Sequence, residues 1–70
     1  MPIISIKLAK GRTTDQKSVL AKAITDSVVS ILEVKAEWVS VLFEEFDREN
    51  WSTGGELHSV KYGGGPGKTQ

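Results

Sequence analysis

Two stretches of alternating apolar and polar residues flank one long segment of helical periodicity. This strand–helix–strand order constrains the chain more than any other feature. In residues 3–8, Ile4, Ile6 and Leu8 share one face and Ile3, Ser5 and Lys7 the other, the two-residue period of a strand. Lys10-Gly11-Arg12 breaks it. Thr13-Thr14-Asp15-Gln16 then reads as a capping box, with Thr13 as N-cap and Gln16 three residues on. The spacing predicts a helix from about Thr14 to Leu32, with Leu20, Ala23, Ile24, Ser27, Val28 and Ile31 along its apolar stripe. After Val34-Lys35-Ala36-Glu37, a second strand is expected over Trp38 to Glu45, with Val39, Val41 and Phe43 on one face and Ser40, Leu42 and Glu44 on the other. A helix joining two strands in this order makes a βαβ unit with parallel strands and a right-handed crossover.

Beyond this unit the chain is short of material. Asp47-Arg48-Glu49-Asn50 reads as a polar turn, and Trp51 to Leu57, centred on Gly54-Gly55, as a small hairpin or a short pairing strand. The glycine-rich residues 63–70 carry little apolar surface and are expected to form a mobile tail behind a single domain over 1–62. At 70 residues, one core rarely supplies more than about 3–5 kcal/mol unaided. With no cysteine and one histidine, neither disulfides nor a zinc site can make up the difference, which leaves oligomerisation.

Nine basic and nine acidic residues balance, and no basic stripe lies along an element, so the footprint of nucleic-acid binding is missing. No apolar run reaches membrane-spanning length and no signal-peptide pattern opens the chain, so a soluble cytoplasmic protein is expected, with no membrane partner.

Candidate chemistry begins at Pro2. Initiator methionine is ordinarily trimmed before a small residue, and Pro2 would then carry a free secondary amine at the mouth of an apolar strand. An α-amino group titrates near pKa ~7.7–8.0, and burial favours its neutral form. A neutral amine near pH 7 is a usable general base. Proline is equally at home as the plain first residue of a strand, where no ladder N–H is required. Arg12 has the planar fork that grips a carboxylate through two parallel bonds, or else is an ordinary loop arginine. Trp51, in a polar loop, is a core lid, an interface anchor or a pocket wall. His58 reads as a surface or interface histidine. Gly67-Lys68-Thr69 looks like the end of a phosphate loop, but Pro66 precedes it and no helix is expected to follow, so phosphate binding by the glycine clusters is not expected.

Taken together, Pro2-Ile3-Ile4, then Lys10-Gly11-Arg12-Thr13-Thr14-Asp15-Gln16-Lys17, then Trp51-Ser52-Thr53-Gly54-Gly55-Glu56-Leu57 resembles the 4-oxalocrotonate tautomerase family of the tautomerase superfamily. The likeness covers residues 2 to about 58. It implies an α+β fold: a β-α-β subunit with a short C-terminal hairpin, assembled into a symmetric oligomer, a homohexamer built as a trimer of dimers, with a mixed oligomer as the variant. It implies a cofactor-independent, metal-free isomerase of aromatic catabolism acting on a small carboxylate-bearing substrate such as 2-hydroxymuconate. Pro2 would be base and then acid, Arg12 would bind a substrate carboxylate, and Trp51 would wall the pocket.

One position departs from the family. Members place a second arginine in the second strand, and Ser40 stands there. Serine can donate one neutral hydrogen bond but no charge. Arg48 is near enough in sequence to be a substitute. Where the dehalogenase relatives carry a water-activating glutamate, this chain has Thr53, which argues against hydration chemistry. Ser40 is also the main support for a second reading, a low-activity or non-catalytic partner subunit of a mixed oligomer. A third reading is a binding module anchored by Trp38 and Trp51.

Overall fold

The computed structural model describes residues 1–63. The tail expected over 63–70 therefore lies outside the described residues, apart from Gly63. Strand β1 spans Ile3–Ala9, helix α1 Thr14–Leu32, and strand β2 Ser40–Phe46. A two-residue-strand hairpin, β3 (Ser52–Thr53) and β4 (Glu56–Leu57), runs directly into a five-residue helix α2, His58–Tyr62.

β1 and β2 pair as a two-stranded sheet. Ser40 N–H donates to the Pro2 carbonyl at 3.0 Å, and Lys10 N–H donates to the Phe46 carbonyl at 3.0 Å. Both bonds belong to one parallel register, in which Pro2 is level with Val39 and Lys10 with Asp47. β2 begins two residues later than the alternation suggested. Trp38 and Val39 N–H bond back to the Lys35 and Ala36 carbonyls, closing a 3₁₀ turn over Ala36–Trp38. It also runs one residue further, to Phe46.

The chain divides into two compact units. The first comprises Met1–Ile6 and Thr13–Phe43. Here the capping box forms as read: Gln16 N–H donates to Thr13 Oγ1 at 3.0 Å, and Thr13 N–H donates to Gln16 Oε1 at 2.9 Å. Glu33, in the left-handed conformation at φ 56°, ends α1. Strand parity also holds, since Ile4, Ile6, Val41 and Phe43 are half-buried while Ile3, Ser5, Ser40 and Leu42 are exposed.

The predicted helical stripe is only half covered. Ile24 and Val28 are half-buried, whereas Leu20, Ala23, Ser27 and Ile31 lie exposed, Ile31 at 75%. The covered line instead follows Lys17, Ala21, Ile24, Thr25, Val28 and Val29. The reason is width. Strands sit about 4.8 Å apart, so two of them offer less breadth than a helix about 10 Å across. Among the described residues no large side chain is fully buried, and Ala9 is the one buried apolar residue. No helix among them is long and apolar enough to cross a membrane.

The second unit comprises Lys7–Arg12 and the chain from Glu44 onward. A Lys10–Asp47 ion pair at 3.3 Å joins the ends of the two strands. The segment read as a polar turn is a 3₁₀ turn over Arg48–Asn50. The hairpin pairs Ser52 with Leu57 and Thr53 with Glu56, leaving Gly54-Gly55 as a two-residue loop. Both glycines have positive φ, 63° and 85°, as a type I′ turn requires. That resolves the two readings of residues 51–57 in favour of the hairpin.

The turn makes a test. Gly55→Ala forces a Cβ into left-handed backbone and should destabilise the chain by about 1–2 kcal/mol. Urea unfolding at fixed protein concentration measures it; an unchanged midpoint would show that the loop does not depend on this conformation.

Candidate active site

The first unit brings Pro2 and Ser40 together. Pro2 is half-buried at the head of β1, where its missing N–H costs no ladder bond, and its carbonyl accepts the Ser40 backbone N–H. Ser40 thus meets Pro2 through its main chain. By strand parity its hydroxyl lies on the exposed sheet face with Leu42. Trp38 is separate from this pair, in the 3₁₀ turn, with Lys35 Nζ 5.3 Å above its ring.

The second unit carries Arg12 and Trp51. Arg12 is half-buried between β1 and the Thr13 cap. Trp51 is half-buried at the entry to the hairpin, held between two rings. Phe46 meets it edge-on, with centroids 6.1 Å apart and planes at 82°. His58 stacks on it at 5.5 Å and 17°. His58, read from sequence as a surface or interface histidine, is instead buried within its own chain. The residue is only 6% exposed, its Nε2 shares a 2.8 Å hydrogen bond with Thr53 Oγ1, and its backbone N–H donates to the Trp51 carbonyl at 2.8 Å. The hairpin register forces this burial: His58 stands opposite Trp51, one step beyond the Ser52–Leu57 pair.

Arg48, near enough in sequence to stand in for the arginine lacking at Ser40, is engaged at the end of α2. It is 8% exposed, and its Nη1 donates to the carbonyls of Tyr62 at 2.6 Å and Gly63 at 3.1 Å. Its guanidinium also lies 6.0 Å over the Tyr62 ring. It closes the C-terminal end of α2 with a positive charge, where helix carbonyls lack partners.

Trp51, Phe46, Asn50, Ser52 and Lys7 line an open pocket of about 260 Å³. Two aromatic walls, one ammonium, an amide and a hydroxyl suit a small, flat, anionic molecule. Lys7 was not singled out in the sequence, although its odd-numbered parity on β1 already set it on the face away from Ile4, Ile6 and Leu8. A larger hollow of about 430 Å³ lies along α1, lined by Asp15, Gln16, Val19, Leu20 and Ala23. It is the uncovered side of the helix and has no cation among its lining residues, so we assign it to packing.

Comparison with known proteins bears on this arrangement. The family model for the tautomerase enzymes matches residues 2–61. A probable tautomerase of Lactiplantibacillus plantarum is 37% identical over 59 residues, spanning 84% of this chain and 92% of that protein. A 4-oxalocrotonate tautomerase isozyme of Methylibium petroleiphilum superposes with a TM-score of 0.82 at 37% identity, over 86% of this chain and 94% of its own. The heterohexamer 4-oxalocrotonate tautomerase of Chloroflexus aurantiacus gives 0.79 at 27% identity, over 84% and 95%.

The Arg48 clamp predicts a local effect. Arg48→Met removes charge-assisted bonds and should cost about 1.5–3 kcal/mol. Amide hydrogen exchange should accelerate across His58–Tyr62 first, and unchanged protection there would show that the clamp does not hold α2.

Proposed function

The chain belongs to the tautomerase family, and from that premise we propose that it is a cofactor-independent keto–enol or dienol tautomerase of small unsaturated oxo-acids, of which 2-hydroxymuconate is the type. The observation that carries this reading is where the family match starts: at Pro2, the half-buried residue heading β1. With Met1 removed, the Pro2 amine takes a proton from the substrate beside its carbonyl. The electron pair moves into the conjugated system, and the prolinium returns the proton at a distal carbon. Atoms and charge balance without any co-reactant. Arg12 grips a substrate carboxylate, and Trp51, reaching a neighbouring copy of the chain, supplies the apolar wall beside that copy's Pro2 amine.

Ser40 sets the limit of this chemistry. A neutral hydroxyl replaces a charged donor, and a lost oxyanion donor costs about 10²–10³ in rate. Turnover should therefore be slow beside members that keep the arginine. The same residue supports the second reading, a partner subunit in a mixed assembly, as the heterohexameric relative makes conceivable.

An assembly is in either case part of the proposal. Ile3 at 68% and Leu42 at 53% exposure stand on the open sheet face, and Val19, Leu20 and Ile31 on the open helix face. A chain without a closed core buries such surface against copies of itself. A hexamer, as a trimer of dimers, is the form we propose.

Three measurements follow. Pro2→Ala should abolish most tautomerisation of 2-hydroxymuconate and phenylenolpyruvate while the far-ultraviolet spectrum stays native; wild-type kcat/KM would sink the proline mechanism. Arg12→Ala should cost about 1.5–3 kcal/mol of transition-state binding, mostly as a higher KM. Unchanged kinetics would remove Arg12 from the site. Sedimentation at micromolar concentration should give a species near six times the 7.6 kDa chain, and an active monomer on dilution would overturn the assembly.

A further inference from the structure

Deeper in the second unit a relay of rings runs from the C-terminal helix to the pocket. Arg48 holds the Tyr62 carbonyl, and Tyr62 meets His58 edge-on at 5.2 Å and 89°. His58 stacks on Trp51, and Trp51 lines the pocket with Lys7 and Asn50. Within this relay the plane of the His58 ring is fixed by hydrogen bonding. The 2.8 Å bond between Nε2 and Thr53 Oγ1 sets its ring rotation, and its N–H on the Trp51 carbonyl sets its backbone. A histidine in an ordinary core needs only a satisfied nitrogen. This one also lies nearly parallel to, and stacked on, a ring that borders an open pocket.

We propose that His58 is a positioning residue: it fixes the plane of the Trp51 indole, and thereby the width of the pocket that receives the flat body of the substrate. Thr53 serves it by locking the imidazole rotamer. An unsupported indole has two free side-chain torsions and can swing into or out of the space beside Lys7 and Ser52. Packed between the face of His58 and the edge of Phe46, it has one orientation. The proposal rests on the reading of Trp51 as substrate wall, and it adds a residue and a specificity: tolerance of bulky enol acids is set by His58 and Thr53.

The test uses the full-length chain in a Trp38→Phe background, so that Trp51 is the remaining tryptophan. Three variants are compared: His58→Ala, which removes the stack; His58→Phe, which keeps a ring; and Thr53→Val, which removes the bond to Nε2 at near-constant shape. The near-ultraviolet dichroism of Trp51 should collapse in His58→Ala, survive in His58→Phe and weaken in Thr53→Val. KM for phenylenolpyruvate should rise about 2- to 10-fold in His58→Ala, the scale of one lost aromatic pair, with kcat unchanged. His58→Phe should restore KM.

A purely structural role gives the opposite split: kcat falls with the folded fraction and KM stays put. That result, or a Trp51 signal intact in His58→Ala, overturns the proposal. Should His58→Ala fail to fold, Thr53→Val against His58→Phe decides it by the same two readouts. If the proline mechanism is wrong, Pro2→Ala stays active while the Trp51 signal still responds to His58, so the two ideas fail separately.

Discussion

A helix laid over only two strands cannot hide its own apolar girth. α1 carries apolar residues on roughly two lines, and the β1–β2 ribbon is broad enough for one of them. Ile24 and Val28 turn inward, while Leu20 and Ile31 remain on the other flank. The same narrowness leaves the second sheet face open at Ile3 and Leu42. Apolar burial contributes about 25 cal/mol per Å², and among the described residues no large side chain is fully buried, so much of that stabilisation is forgone by the chain alone. The two-strand ribbon is thus the constraint from which the need for neighbours follows.

The single parallel register organises what the ribbon positions. Because Pro2 is level with Val39, its carbonyl is tied to the first residue of β2, and its ring sits at a defined corner. Because Lys10 is level with Asp47, the far ends are tied by a backbone bond and an ion pair. A one-residue slip would send Ile4, Ile6, Val41 and Phe43 to the wrong face. The register therefore protects the covered layer and the candidate catalytic corner together.

In the second unit the hairpin does comparable work with very few residues. Two positive-φ glycines return the chain so tightly that His58 lands on Trp51. The short helix that follows is closed by Arg48 rather than by its own caps. Here Arg48, Tyr62, His58 and Thr53 engage one another in sequence. Lys7, from β1, puts a cation into the pocket that this cluster backs.

Much of this was legible in the chain. Period-two alternation identified both strands and which residues share a face, and the Thr13–Gln16 pair marked the helix start because capping is a local bond between residues three apart. Gly54-Gly55 signalled a turn for the same local reason, and the motif order from Pro2 to Leu57 pointed to the family. What escaped is non-local. Which flank of α1 is covered depends on the breadth of the sheet beneath it, not on helical period. The fate of Arg48 depends on where α2 ends, fourteen residues away along the chain. His58 is buried because the hairpin register carries it onto Trp51, and Lys7 reaches the pocket because β1 runs beside the segment that holds Trp51. Sequence determined the elements, their faces and the catalytic vocabulary, since these rest on contacts within a turn of helix or a step of strand. Tertiary structure alone decided which charged and aromatic side chains meet, because those distances are set by strand register and turn geometry acting across the chain.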